Sequence, residues 1–237
     1  MVEIVTKPSA ADIRQAGAEF ESENKILEEA LQELFGQYPH NTQHAQVLLK
    51  VTALNTFYST QIPLYRESIP TIFDVAEHIV ALDIDSDLER GDDGLVSRLA
   101  KTEVPRKKVF VYYSFATKYC SWHNPNAYPI FDGHVYAYLC HLMKHDCLDR
   151  FRQDDLWDYP IFKNVIKQFQ EKNQLGGFTF KDIDKFLYLQ GAMVLGSKKK
   201  KETGPIETEP ILVPVPGQPS EMVATVESYP APEKATD

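Results

Sequence analysis

Two side chains near the middle of the chain, Lys118 and Asp132, are of the types that covalent and acid–base chemistry require. A lysine amine can attack an electrophilic carbon and form a Schiff base. A carboxylate can stabilise positive charge that develops in a transition state, and it can orient or deprotonate an attacking nucleophile. We therefore expect these two groups to act on the same substrate.

The sequence around the two residues predicts the elements that position them. Lys118 lies near the end of a helical run, which Asn124-Pro125 interrupts because the residue before a proline is disfavoured in the α region. A short aromatic loop then leads to Pro129-Ile130-Phe131-Asp132, where an amphipathic helix begins. Asp132 can accept backbone N–H bonds at that helix start and is favoured by the helix dipole. We expect its carboxylate to point out of the fold.

The order of these residues resembles the helix-hairpin-helix-GPD superfamily of DNA base-excision glycosylases. In that superfamily, a lysine on one helix is followed by a Pro-x-x-Asp loop whose aspartate opens the next helix. Lys118 and Pro129-Ile130-Phe131-Asp132 match this motif within residues 114–135. The resemblance implies a DNA glycosylase that excises a damaged or modified base, with Asp132 as the catalytic carboxylate and Lys118 as the nucleophile. A Schiff base at Lys118 would add strand-cleaving (AP-lyase) activity.

The sequence departs from the superfamily pattern in two places. The glycine-rich hairpin that grips a DNA phosphate should precede the lysine, but Tyr113-Ser114-Phe115-Ala116-Thr117 contains no glycine. The spacing from Lys118 to Asp132 is also several residues shorter than usual. These departures favour an alternative function, namely a catalytically inactive helical module of the same fold that binds nucleic acid or a protein partner.

The resemblance also implies which residues recognise the base. A glycosylase takes its target base out of the stack, and aromatic faces can then stack on it. The helix that precedes the lysine would form the opposite wall of the base pocket. The expected substrate-binding residues are Asn55, Tyr58, Gln61, Trp122, His123, Tyr128, Phe131 and His134. The expected partner is double- or single-stranded DNA that carries a modified base.

Two groups of metal-binding residue types have simpler interpretations. His141 and His145 share a helix face and could form a zinc site with a cysteine, but no Cys-x-x-Cys pair is present and three cysteines cannot form a four-thiolate iron–sulfur site. The acidic segment 83–94 lacks the glycine and the glutamate that an EF-hand loop requires, and it is predicted to be a solvated loop. We therefore expect no metal ion and no cofactor.

Composition limits the class of protein. The 237 residues carry a net charge of −9 and are 43% hydrophobic, enough for one core. Residues 1–36 have three basic and eight acidic side chains, whereas residues 98–172 have twelve basic and eight acidic ones, so negative charge is concentrated away from the candidate site. The apolar runs are too short for a membrane span, the N-terminus lacks a signal-peptide pattern, and three cysteines suggest reduced thiols. We expect a cytoplasmic monomer.

The hydrophobic pattern predicts a compact all-α, glycosylase-like domain over residues 1–196. Periodic apolar residues predict helices over residues 9–36, 44–58, 72–82, 95–101, 106–122, 132–147, 160–174 and 179–195. The β-branched and aromatic residues at 109–113 equally suggest a strand, but a stripe of helical period favours the helix. Residues 197–237 are rich in lysine, proline and glutamate, and they are predicted to be a disordered tail.

Overall fold

Helices make up most of the part of the chain that the computed structural model describes, which is residues 4–199, 211–214 and 223–226. A 3₁₀ helix, Gln153–Trp157, precedes the eighth of the α-helices. Within the described residues the α-helices are α1 (Ala10–Gln37), α2 (His44–Phe57), α3 (Ile72–Leu82), α4 (Asp85–Arg90), α5 (Asp93–Ala100), α6 (Tyr113–His123), α7 (Gly133–Lys144), α8 (Tyr159–Lys172) and α9 (Phe180–Lys199). The predicted multi-helix fold is confirmed. None of these helices has both the length and the apolar character needed to cross a membrane.

Capping residues in the sequence set several of the helix starts. Thr71 and Asp74 bond reciprocally at the start of α3, which spans the predicted residues. Thr179 and Asp182 do the same at the start of α9. Asp132 caps α7 as predicted. Each cap gives a hydrogen-bond partner to backbone N–H groups that have none inside the helix.

A small sheet was not predicted. Strand β1 (Lys101–Thr102) pairs antiparallel with β2 (Phe110–Val111), so the helix predicted over residues 106–122 begins only at Tyr113. The strand interpretation of the β-branched and aromatic segment was therefore correct for residues 110–111. Further along the chain, β3 (Ile211–Pro214) pairs antiparallel with β4 (Val223–Val226), and β4 pairs parallel with β2. The strand order is β1-β2-β4-β3.

The acidic segment 83–94 was predicted to be a solvated loop, and this prediction was wrong. It contains α4 and the start of α5. Leu88 is buried in the core, while the carboxylate of Asp87 pairs with Arg90 and Arg98. Asp92 therefore caps α5, and Asp87 joins α4 to α5 through its ion pairs. The number of aspartates suggested a loop because the sequence alone did not show these contacts.

The predicted tail, residues 197–237, lies mostly outside the described residues. Residues 197–199 continue α9 beyond its predicted end, and β3 and β4 are described as strands. The rest of the tail that was predicted to be disordered lies outside the described residues.

A close contact between α7 and α9 forms one side of the helical core. These two helices pack along each other, and α9 also packs on α1. Gly191 of α9 lies directly against the backbone of His134, and a Cβ atom on Gly191 would overlap the His134 carbonyl group. The glycine therefore allows the start of α7, which Asp132 caps, to lie against the middle of α9.

Candidate functional site

A cleft of about 730 Å³ lies among α1, the end of α2, α6, the start of α7 and α9. Both Lys118 and Asp132 line it, although they belong to different elements. Its volume falls in the range of about 300–1,000 Å³ that is typical of small-molecule and cofactor sites. Aromatic side chains cover much of its wall, namely Phe20, Phe35, Phe57, Tyr58, Trp122 and Tyr188.

Lys118 lies in the middle of α6, where it is 1% exposed. Its Nζ donates a hydrogen bond to the Ser114 hydroxyl, one helical turn earlier, at 2.6 Å. The same Nζ lies 5.5 Å from the centre of the Tyr58 ring, a favourable position for a cation on an aromatic face. The amine is therefore held at the cleft wall rather than extended into solvent.

Asp132 reaches the cleft because its backbone is extended just before α7. Its Oδ1 accepts hydrogen bonds from the backbone N–H groups of His134 and Val135, both at 2.9 Å. The residue is 4% exposed, so the carboxylate faces the cleft and does not project from the fold as the sequence suggested. Two backbone donors and the helix N-terminus suit a negative charge at this position.

The segment before Lys118 is helical. Residues 113–117, which correspond to the glycosylase hairpin, form the first turns of α6 and are buried. Because these residues are buried, they do not present the exposed backbone N–H groups with which a glycine hairpin grips a phosphate.

Asp184 is a further ionisable group in the cleft, and the sequence interpretation missed it. Its Oδ1 is buried and has no hydrogen-bond partner among the described residues. Burial raises the pKa of Asp184 well above its usual range, and the negative charge of Asp132 raises it further, against the opposing effect of Lys118. A signal was present in the sequence, because Lys181, Asp184, Lys185 and Tyr188 follow the i, i+3, i+4, i+7 spacing of one helix face.

An aromatic pair, Tyr58 and Trp122, also lines the cleft. The Trp122 Nε1 donates to the Tyr58 hydroxyl at 3.2 Å, and burial raises the pKa of Tyr58 well above its usual value, so the phenol stays neutral. The Lys181 Nζ lies 4.1 Å from the centre of the Trp122 ring and 2.6 Å from a carboxylate oxygen of Glu28. Tyr58 and Trp122 therefore present flat apolar ring faces to the cleft, and the Lys181 amine beside Trp122 is neutralised by Glu28.

A second polar group lies beside the other end of the cleft. Lys50 is fully buried, and its Nζ donates to the carbonyl oxygens of Tyr38 and His40 and to the Asn41 Oδ1. Burial lowers the pKa of Lys50 to about 8, against the opposing effect of Asp85.

The imidazole of His123, which lines the cleft, completes this group. Its Nε2 lies 3.2 Å from the Lys50 Nζ. Burial, followed by the charge of Lys50, lowers the pKa of His123 to about 3. The imidazole is therefore neutral near pH 7 and can accept a hydrogen bond from the lysine.

Three of the predicted substrate-binding residues line the cleft with Lys118 and Asp132. These are Tyr58, Trp122 and His123. They come from the end of α2 and the end of α6, which places the helix before the lysine on one wall of the cleft.

The other five predicted substrate-binding residues lie outside the cleft lining. Asn55 holds the turn after α2 through the backbone of Ile62, and Gln61 is exposed in that turn. The Tyr128 hydroxyl donates to backbone carbonyl oxygens of Asp87 and Asp92. Phe131 is fully buried among core aromatic rings, and His134 packs on Tyr188 with ring centres 4.7 Å apart. Their contacts are those of residues that support the fold.

The histidine and cysteine side chains of the alternative zinc site do not converge. His141 and His145 stack with ring centres 4.3 Å apart. Across the described part of the chain, no three His, Cys, Asp or Glu side chains are placed to hold a metal ion.

Comparison with known proteins finds two partial matches. Residues 12–127 match the family HI_0787_N, described as an N-terminal domain. The chain is also 38% identical over 137 residues to an uncharacterized protein of Haemophilus influenzae. That alignment covers 57% of this chain and 65% of the relative, so the chain spans less than two thirds of the relative's length. Neither description names an activity. No solved structure matches.

The family match covers only part of the site. It includes α2 and α6, and therefore Tyr58, Lys118 and Trp122. Asp132 and Asp184 lie beyond residue 127. Homology with this family therefore covers the lysine side of the cleft, whereas both carboxyl groups lie outside the matched residues.

Proposed function

We propose that this chain is a DNA N-glycosylase that removes a damaged or modified base, with Asp132 and Lys118 as its catalytic groups. The observation that carries the proposal is that these two residues, chosen from a sequence motif, line one aromatic cleft. They are brought together by different elements, α6 and the cap of α7. A solvent-exposed lysine and a helix cap without a further role would not be expected to line the same cleft.

Asp132 suits the role of the catalytic carboxylate. Breaking an N-glycosidic bond gives the sugar oxocarbenium character, and a fixed negative charge stabilises it. The Asp132 Oδ1 is occupied by two backbone N–H groups, which fixes the carboxyl group in the cleft. The carboxylate can also accept a proton from the nucleophile that attacks the sugar.

Lys118 suits the role of the amine nucleophile. Its Nζ is held by the Ser114 hydroxyl and faces the Tyr58 ring in the same cleft. Attack of this amine on the sugar C1′ would displace the base, and opening of the sugar ring would give a Schiff base. A Schiff base leads to strand cleavage, so this route predicts AP-lyase activity in addition to base release.

The cleft dimensions and wall suit an extruded base. Tyr58 and Trp122 offer flat faces, and stacking on aromatic side chains contributes about 1–3 kcal/mol per base. The cleft is also lined by the ionisable side chains of Lys118, Asp132 and Asp184, and its volume of about 730 Å³ could hold a base and its sugar.

The ion pairs of α9 favour a second function, a catalytically inactive helical module that binds nucleic acid or a protein. Lys181 pairs with Glu28 and Lys185 pairs with Glu21, so two lysines that could bind phosphate are already neutralised. Residues 113–117 are helical and offer no glycine hairpin. A measurement of DNA affinity would not distinguish the two functions, because both include nucleic-acid binding.

Base release separates them directly. Duplex and single-stranded oligonucleotides that each carry one modified base are incubated with the protein, and the free base is measured by mass spectrometry. The proposal expects at least one base to be released by the wild type and none by Asp132→Asn, while the exposed-site control Asp149→Asn keeps wild-type activity. Binding without release from any oligonucleotide would support the inactive module.

The cytoplasm is the proposed location. All three cysteines lie in the described part of the chain, and none is in a disulfide. Thiols of this kind persist in a reducing compartment.

A further inference from the structure

The proposed function leaves Asp184 without a role, although this residue lines the same cleft as Lys118 and Asp132. Its Oδ1 is buried and accepts no hydrogen bond from any described residue. Burial of a carboxylate oxygen without a protein donor disfavours the charged form, so the neutral, protonated form is favoured. A protonated carboxyl group in a reaction cleft is a proton donor.

The charges around Asp184 favour the protonated form on balance. Burial has the largest effect and raises the pKa of Asp184 well above its usual range, and the Asp132 carboxylate raises it further. Lys118 lowers this pKa but does not reverse the direction. The ionisable groups that face Asp184 from the surrounding elements are Glu28 of α1, Tyr58 at the end of α2, Lys118 of α6, Asp132 before α7 and Lys181 of α9.

Asp132 differs from Asp184 in its hydrogen bonds, because the Asp132 Oδ1 accepts two backbone N–H bonds. The two carboxyl groups therefore have opposite environments. One is supplied with donors at a helix N-terminus, and the other has a buried oxygen with none. A pair of carboxyl groups whose environments favour different protonation states is the usual arrangement for one acid and one base.

We propose that Asp184 is the general acid that protonates the departing base, and that the substrate base is electrically neutral while it is attached to its sugar. This inference rests on the proposed function. A neutral base leaves as a neutral molecule only if it gains a proton. A base that already carries a positive charge, such as a purine methylated at N7, leaves without one. A dedicated proton donor is therefore useful only for the first class of substrate.

The reaction balances with the Lys118 amine as the nucleophile and water as the final reactant. The bond between C1′ and the base nitrogen breaks, and its electron pair goes to the base, which takes the Asp184 proton. The Lys118 amine, in its uncharged form, bonds to C1′ and gives one proton to the Asp132 carboxylate, which also stabilises the positive charge on the sugar. Opening of the sugar ring moves that proton to the ring oxygen and gives the Schiff base, which water hydrolyses to free the sugar and the lysine. The lysine then releases its extra proton to solvent, and Asp184 takes one up.

The test compares neutral and cationic bases in the same variant. Single-turnover release is measured from oligonucleotides that carry hypoxanthine, uracil or 8-oxoguanine as neutral bases, and 7-methylguanine as the cationic base. Asp184→Asn keeps the size of the side chain but cannot donate the proton. We expect it to slow release of the neutral base by about 10²–10⁴-fold, the usual contribution of a general acid. Release of 7-methylguanine, if the wild type removes it, should change by less than about 10-fold.

The possible results separate the two proposals. Equal slowing of neutral and cationic bases, or release of 7-methylguanine alone by the wild type, would overturn the role of Asp184 while leaving the glycosylase intact. Release of no base by the wild type would overturn both proposals. The ¹³C chemical shift of the Asp184 carboxyl carbon gives a check that needs no activity. A protonated carboxyl at pH 7 supports the proposal, and a charged one overturns it.

Discussion

The hydroxyl oxygen of Thr117 accepts a hydrogen bond from the backbone N–H of Phe131 at 3.0 Å. This bond joins the residue before Lys118 to the residue before Asp132, and both partners are fully buried. The distance between the two proposed catalytic groups is therefore set by a backbone contact inside the core. This distance depends less on the flexible part of the Lys118 side chain.

Replacing Thr117 by valine removes that contact while keeping the shape of the side chain. The Phe131 N–H would remain buried without its acceptor, so we expect the free energy of unfolding to fall by about 1–3 kcal/mol. If Asp132 moves by about 1 Å, base release should slow by about 10²-fold. Thr117→Ser retains the hydroxyl and is the matched control. Denaturant unfolding and single-turnover kinetics of both variants test this, and equal behaviour of valine and serine would contradict it.

Asp132 has two roles that different substitutions separate. Asparagine caps helices about as well as aspartate, so Asp132→Asn should change the stability little. Alanine cannot accept the His134 and Val135 N–H bonds, and Asp132→Ala should lower the free energy of unfolding by about 1 kcal/mol. Both variants should lose base release, because both lack the negative charge. An active Asp132→Asn enzyme would show that the carboxylate serves only as a cap.

The contact between Gly191 and His134 predicts a large steric effect. A methyl group on Gly191 would overlap the His134 carbonyl, so Gly191→Ala should push α7 away from α9 and lower the free energy of unfolding by about 3 kcal/mol. Gly196 lies on the same helix with open space at its Cβ position. Gly196→Ala should therefore be neutral or stabilise the protein by up to about 1 kcal/mol. Thermal unfolding of the two variants tests the difference, and equal melting temperatures would contradict it.

Buried Lys50 should make the stability depend on pH. Replacing it with methionine leaves the Asn41 Oδ1 buried without its donor and removes the bonds to the part-buried carbonyl oxygens of Tyr38 and His40, so we expect a loss of about 3 kcal/mol at pH 7.5. In the folded protein the Lys50 pKa is about 8, against 10.5 for an ordinary lysine. Between these values the unfolded chain binds the proton and the folded chain does not, so wild-type stability gains with rising pH.

That gain is absent in Lys50→Met, and the difference in stability between wild type and variant should widen from pH 8 to pH 10.5. Urea unfolding at several pH values measures it, and the other ionisable groups cancel because they are common to both proteins. A difference that stays constant over this range would show that the lysine has an ordinary pKa.

Local features of the sequence predicted the helical part of the fold well. The α3 helix spans its predicted residues because Thr71 and Asp74 form a capping box, and Asp132 caps α7 for the same reason. Strand β2 was missed because only two residues pair, and the pairing partners lie elsewhere in the chain. A stripe of helical period over residues 106–122 could not reveal a long-range contact of this kind.

The candidate site was predictable only in part for a related reason. Lys118 and Asp132 belong to one short motif, whereas Asp184 reaches the cleft through packing of α9 against α1 and α7. The Lys181, Asp184, Lys185 and Tyr188 stripe shows that one face of α9 is polar, but a polar face is usually solvated. Asn55, by contrast, was chosen for its side-chain type, and its amide is used to hold the turn before Ile62.

Borohydride trapping on oligonucleotides that carry modified bases tests the central claim most directly, because it detects the covalent bond between the protein and the sugar. The account predicts a protein–DNA adduct with the wild type and with the exposed-site control Lys25→Gln. It predicts that the adduct is lost in both Lys118→Gln and Asp132→Asn. An adduct that persists in Lys118→Gln would contradict the role of this lysine. If no oligonucleotide gives either an adduct or a released base, the result would contradict the glycosylase function itself.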